Sequence, residues 1–494
     1  MKKLLALLLA LTFCVSVVSC ASDGKDAITT TAATTKEPTN APDPEPTEPE
    51  KEPDPLLAGF SERDFTPERM GPMAGGSFYT LAQCVEMPLL TNAAAFESGD
   101  ASFILVSIDL LRITEYGVTQ MRERINAATG VPKENIMLVA THTHTSVALD
   151  VQHNQNPPDI EAYSHMIAMT VEAATEAWSN RAPVKYGHGE TTLPGYSFCR
   201  DAFMKDGDIK TWPSPSSQID RLISEIDRSV NVLRFDDAEG NIKCFVVNYA
   251  NHPDSSSKQG YNPDYPGYMR ELLKEKYGED IIVLYLNGAE GDVNYFDYLN
   301  GAKAAGYNKD IGRALATVVI RLNSSIEADK EFAEISSISK MYTATQRNRT
   351  AEDILWAREI LKAAENGESV SSLNKKYAIE YTTFDYSDWG DTFELEIQTL
   401  VLGDLAFVGL PCEAYSEIGL RIKEASPYEN TLVISLANTS YGYMAPDFVY
   451  GTSAYPAKFS PSSSRADKGI ADIVVSGALS MLSELKESTV TVSN

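Results

Sequence analysis

Short, wholly apolar runs alternate along this chain with longer amphipathic segments, and that alternation leaves few folds open. "EYGVTQMRERINAATG" sets apolar residues at helical spacing and stops at Gly130, and "NIMLVA" follows as a strand. "IEAYSHMIAMTVEAATEAW" reads as a second helix. "NVLRF" and "IKCFVVNYA" are strands on either side of the turn "DDAEGN", and "GYMRELLKEKYG" then "IIVLYLNG" give helix and strand. Two further helices, "NKDIGRALATVVIRLNSSI" and "AEDILWAREILKAAENG", precede a hairpin about Gly403-Asp404 in "FELEIQTLVLGDLAFVGLP". "AYSEIGLRIKEA", "TLVISLAN" and "GIADIVVSGALSMLSELK" read as helix, strand and closing helix. Strands this apolar must be covered on both faces. The expected fold is therefore α/β, a central, largely buried mixed β-sheet covered by helices. No repeat of fixed period and no internal linker is visible, so residues 56–494 read as one domain.

The N-terminus reads differently. "MKKLLALLLALTFCVSVVSC" has two lysines, a short apolar run and then small residues, the layout of a secretory signal. Val17-Val18-Ser19-Cys20 is similar to a bacterial lipobox, which implies residues 1–20 as a lipoprotein signal peptide and lipidation of Cys20. Residues 21–55, rich in Thr, Pro and Glu, cannot bury enough apolar surface to offset chain entropy and should form a disordered tether. The expected location is extracytoplasmic, on a membrane through the lipid anchor. A net charge of −27 excludes an electrostatic footprint for nucleic acid. Past the signal, Cys84, Cys199, Cys244 and Cys412 show no Cys-x-x-Cys spacing, which argues against a structural zinc site.

The polar clusters fall where strands end. "NIMLVA" runs into His142 and His144, "CFVVNYA" into His252, "LAFVGLP" into Glu413, and "TLVISLAN" toward Tyr443. In α/β folds, sites gather at the carboxyl ends of strands, where a buried scaffold holds the loops. His142 and His144, two apart on extended backbone, would share a face with Cα atoms about 6.6 Å apart. Imidazole and carboxylate are ordinary zinc ligands, and the chain has only six histidines. Asp109, ending "ILVSID", and Asp292 are candidates to orient a ligating histidine.

These segments resemble the N-terminal catalytic domain of the neutral/alkaline, non-lysosomal ceramidases. The resemblance runs from "GFSERDFTPE" through "THTHTSVA", "NYANHPDSSS", "NGAEGDVN" and "GLPCEAYSEIG" to "LANTSYGYMAP". It implies Zn²⁺ held by His142, His252, Glu413 and Tyr443, with His144 assisting proton transfer. Arg200 in "SFCRD" and Tyr455 in "SAYPA" match positions that contact the scissile amide and stabilise its oxyanion. Asn294 stands in "GDVNYF" where the family has the serine of "GDVSPN", and Pro456 stands where it usually has glutamate. The chain also stops after its closing helix, so no C-terminal immunoglobulin-like domain is expected.

The combined expectation is a zinc-dependent hydrolase of a small amphipathic N-acyl substrate, ceramide-like in the first instance. Zinc lowers the pKa of bound water from about 15.7 toward about 7, which makes amide hydrolysis accessible at neutral pH. The alternative is a lipid-anchored solute-binding or inactive scaffold lipoprotein of the same fold. A solute receptor has no use for a convergent His/His/Glu set, so bound metal separates it from the hydrolase.

Overall fold

Each apolar run forms a strand buried on both faces, and these strands group into three main sheets, with smaller two- and three-stranded sheets beside them, rather than the single central sheet expected. The computed structural model describes residues 54–75, 80–149, 159–303 and 307–492, with backbone only for 302–303 and 489–492. The first sheet contains β1 (Leu57–Asp64), β2 (Leu90–Ser98), β3 (Ala101–Ile108) and β4 (Ile136–Ala140), plus the short strand Ala182–Pro183 beside β1. The second contains β5 (Lys185–Thr192), β6 (Ser229–Asp236), β7 (Ile242–Tyr249) and β8 (Ile282–Asn287). The third contains β9 (Ile335–Thr345), β10 (Thr392–Leu402), β11 (Leu405–Gly409) and β12 (Asn430–Ile434).

All three sheets share one topology. Three antiparallel strands in sequence are followed by a fourth that pairs parallel with the third: β4 with β3, β8 with β7, β12 with β11. A parallel pair requires a crossover, and in each unit it is a helix. These are α1 (Glu115–Thr129), α3 (Tyr265–Tyr277) and α7 (Ser416–Ala425). A second helix follows each fourth strand: α2 (Ile160–Ser179), α4 (Asn308–Asn323) and α8 (Ile470–Val492). The remaining pair, α5 (Ala351–Glu365) and α6 (Ser372–Thr383), is inserted between β9 and β10. Insertions of unequal length hide this repeat from any search for a fixed period.

Residue alternation explains why three sheets form. In β3, Ile104, Val106 and Ile108 pack with Met121 and Ile125 of α1 and Met166 of α2. Phe103 and Leu105 face the other way, into a core shared with Phe235 and Leu284 of the second sheet and Phe407 and Leu432 of the third. Aromatic rings meet there across sheets, Phe96–Phe235 at 5.2 Å and Phe103–Phe407 at 6.4 Å. Outside, α3 and α4 cover the second sheet and α7 and α8 the third. Each fully buried side chain contributes about 1.5–3 kcal/mol of transfer free energy, so neither face can be left wet.

The helix stop at Gly130 is realised as a left-handed cap, φ 79°, whose N–H bonds the Asn126 carbonyl. Cys199, Cys244 and Cys412 are buried thiols and Cys84 is exposed; all four are free. Among the described residues no helix is long and apolar enough to cross a membrane. The signal segment, Cys20 and the tether up to residue 53 lie outside the described residues. Asp54 and Pro55, the last of the expected tether, already belong to the fold: Pro55 bridges Phe332 and Leu56 is fully buried.

Candidate metal centre

Because the three parallel strand pairs share a topology, each delivers its carboxyl-end loops in the same way. The loop after β4 carries His142 and His144, that after β7 carries His252, and that after β8 carries Glu290. Glu413 follows β11, and Tyr443 lies beyond β12, the two aligned in a short parallel pairing of Glu413-Ala414 with Tyr443-Met444. His142 and His144 do not sit on extended backbone as expected. The strand ends at Ala140 and His142 turns into the left-handed region, φ 72°. For a residue with a Cβ that conformation is strained and persists only where its surroundings fix it. Here the His142 N–H donates to the Leu110 carbonyl at 2.8 Å, and its Nδ1 bonds the Leu111 carbonyl at 2.8 Å.

The side chains converge. His142 Nε2 lies 3.2 Å from His252 Nε2 and 3.3 Å from Glu413 Oε2, and His252 Nε2 lies 3.9 Å from the same oxygen. A tetrahedral ion with ligands at 2.0–2.2 Å has ligand–ligand edges of about 3.3–3.6 Å, close to this triangle. The His144 ring is 4.9 Å from that of His142 and 5.0 Å from that of His252; its Nδ1 bonds the Gly75 carbonyl at 3.1 Å. Tyr443, 6% exposed, sets its hydroxyl beside Glu413 and borders Arg200, whose guanidinium carbon is 5.3 Å from its ring. His142, His144 and His252 form one group of possible ligands, and His142, Glu290 and Glu413 a second.

Electrostatics point the same way. Burial, the charge on His142 and nearby cations hold His144 well below the ordinary histidine range; burial and Arg200 do the same to His252. Both therefore offer lone pairs at neutral pH. Burial opposes charge on Glu413, but His142 and the Tyr443 hydroxyl keep it below the usual carboxylate range. Burial pushes Glu290 up to about 8. Neither Glu290 oxygen nor His144 Nε2 has a hydrogen-bond partner. Buried polar atoms without partners cost free energy, and so many in one place suit the binding of a cation. The donor set can hold a metal.

The remaining expected residues divide. Arg200 is buried beside Tyr443, its Nη2 donating to the Gly291 carbonyl at 2.8 Å. The Tyr455 ring stands edge-on to that of Tyr443 at 5.5 Å. Asn294 is buried, but its carboxamide oxygen accepts from the Phe296 N–H at 3.2 Å, within its own turn. The two aspartates do not reach an imidazole. Asp109 pairs with Arg270 at 2.6 Å and accepts from the Thr141 hydroxyl at 3.3 Å, bracing the residue before His142. Asp292 accepts the N–H and hydroxyl of Ser416, both at 2.7 Å, at the start of α7, where a helix favours an anion. Main-chain carbonyls take over their expected role toward His142 and His144.

Glu290 was not among the expected residues. Its turn, "NGAEGD", reads as a polar loop, and only the apolar strand before it hinted that the loop lies at the site edge. Trp212 was missed too. It is 42% exposed with φ 53°, and its indole lies 5.4 Å from Tyr455 and 5.7 Å from the Arg200 guanidinium carbon.

No protein-family model matches the chain. Among solved structures it is similar to the neutral ceramidase from Pseudomonas aeruginosa, with a TM-score of 0.66 and 17% identity over 88% of this chain and 75% of that one. It is also similar to a ceramidase complexed with C2, with a TM-score of 0.68 and 16% identity over 88% and 76% of the two chains. At such identities the likeness shows a ceramidase-like fold.

Proposed function

We propose that this protein is a metal-dependent hydrolase of an N-acyl amide, with zinc as the ion and a ceramide-like compound as the first substrate to try. The observation that carries the reading is the convergence of His142, His252 and Glu413 at ligand-edge distances, with further unpartnered donors beside them. His142, His252, Glu413 and Tyr443 would hold the ion. When bound, a divalent cation polarises an amide carbonyl and makes water a nucleophile at neutral pH.

The chain's own groups then have these tasks. His144, neutral at pH 7 with a free Nε2, accepts the proton of the attacking water and returns it to the leaving amine. Water adds to the carbonyl carbon, the C–N bond breaks, and acid and amine leave. Arg200 has a buried Nε without a partner and can donate to the developing oxyanion together with Tyr455. Trp212 forms an aromatic wall beside them. The ceramidase structure complexed with C2 supports a lipid-like substrate. Asn294, tied into its turn, is a fixed wall where the family places a small hydroxyl residue. We also take residues 1–20 as a lipoprotein signal, Cys20 as the lipidated residue and 21–53 as a tether, with the domain from residue 54 onward working outside the cytoplasm.

The test couples elemental analysis of the purified protein with a screen of N-acyl amides, ceramide included, before and after chelation. One equivalent of zinc and hydrolysis abolished by chelator and restored by zinc are expected. A protein that retains no metal after zinc dialysis, and cleaves no amide, would remove the reading.

A further inference from the structure

Helix α6 places a buried ion pair directly behind Tyr455. Lys376 and Glu380, one turn apart, have side chains only 1% and 2% exposed, with Nζ and Oε1 3.8 Å apart. Lysine and glutamate are almost never this buried without a specific engagement. The Lys376 ammonium donates to Tyr455 Oη at 2.8 Å and to Ser463 Oγ at 2.9 Å. Tyr455 in turn donates to Ser463 Oγ at 3.2 Å, long for an O–H···O bond. Glu380 accepts from the hydroxyls of Ser460 at 2.7 Å and Ser462 at 2.5 Å, so the loop carrying Ser463 is itself anchored on the helix. The Ser463 carbonyl also accepts the N–H of Tyr443 at 2.9 Å, which ties this network to the proposed ligand set.

A lysine beside a serine suggests a base and a nucleophile, but the geometry opposes it. The Lys376 amino group donates both of its hydrogen bonds and faces the Glu380 carboxylate as its ion-pair partner, and an ammonium has no lone pair to accept a serine proton. The cation acts on the phenol instead. An ammonium donating into the Tyr455 oxygen polarises its O–H and strengthens it as a donor. Because the Ser463 contact is long, that proton can turn to a stronger acceptor in the site.

We propose that Lys376 is a positioning residue, which fixes the Tyr455 phenol and strengthens its hydrogen bond to the developing oxyanion; this rests on the hydrolase reading above. The experiment uses the full zinc-loaded protein and the best amide from the screen, comparing wild type, Lys376→Met, Lys376→Arg, Tyr455→Phe and the Lys376→Met/Tyr455→Phe pair. Lys376→Met should lower kcat about tenfold or more, toward the range of an oxyanion donor, with KM and zinc content nearly unchanged. Lys376→Arg should recover part of the loss, and the pair should be no slower than Tyr455→Phe alone. If Lys376→Met does not fold, Lys376→Gln, with a neutral donor, takes its place in the same comparison. Losses that multiply in the pair, or a wild-type kcat without the ammonium, would overturn the proposal while leaving the hydrolase intact. A wild-type zinc protein that turns over no amide would remove both.

Discussion

His142 and His144 are two positions apart, yet only His142 has its Nε2 in contact with the other donors. The two should therefore fail differently. His142→Ala should lose zinc, read by elemental analysis, whereas His144→Ala should keep zinc and lose turnover by roughly 10²–10⁴-fold. Equal zinc loss in both would make His144 a ligand. Glu290 adds a pH signature to the metal-free protein. Its carboxyl titrates near 8 when folded against 4.5 as a free side chain, so between those values the folded chain keeps a proton that the unfolded chain has released. Stability should fall as pH rises through this window, by up to about 1.4 kcal/mol per pH unit. His142 acts in the same direction above 6.5: burial alone would lower it, but Glu413 raises it on balance. Asp201 and Asp264, near 6, complete most of their change lower down. His144, His188 and His252, held below the ordinary histidine range, act the other way near pH 6.5. Urea unfolding from pH 7 to 8 should therefore show the wild type losing stability faster than Glu290→Gln; an unchanged slope would mean that Glu290 is ionised throughout. At this scale the sequence revealed the histidines and the glutamate at the ends of apolar strands whose side chains converge. It could not reveal Glu290, whose burial comes from the surrounding sheets, or show that Asp109 and Asp292 serve Arg270 and Ser416.

Among the elements, the most apolar were the most legible. α1, α2, α4 and α8 and the strands β4, β7, β8 and β11 all fall where their periodicity places them. Helix α6 was invisible because it buries Lys376 and Glu380 on its inner face, which contradicts the pattern that marks an amphipathic helix. β2 is rich in alanine and β9 in serine, neither a strong strand signal. The joints between elements are as demanding as the elements. Gly291, in the loop after β8, donates to the Ala414 carbonyl at 2.8 Å, and a Cβ there would stand 2.5 Å from the Glu413 carbonyl oxygen. The loops of the second and third units can approach this closely only without a side chain. Gly291→Ala should push the Glu413 segment aside and weaken zinc binding by about 10–100-fold, as loss of a ligand's support does. Competition with a chromophoric chelator would measure it, and unaltered affinity would show that the loops can part without disturbing Glu413.

For the whole molecule, a sheet-and-helix class was legible and the three-sheet arrangement was not, since apolar strands alone do not say whether their second face meets a helix or another sheet. The shared core makes the three units interdependent. Phe407, 2% exposed, lies where the third sheet meets the first, and Phe407→Ala should cost about 3–5 kcal/mol. The loss should appear as one unfolding transition shifted to lower denaturant, with circular dichroism and zinc release coinciding; two separated transitions would show that the units unfold independently. The distribution of donors has a consequence of its own. His142 and His144 come from the first unit, His252 and Glu290 from the second, Glu413 and Tyr443 from the third. No one unit can assemble the set, so cation capture there would behave as a three-input logic gate, its occupancy reporting on the docking of all three units at once.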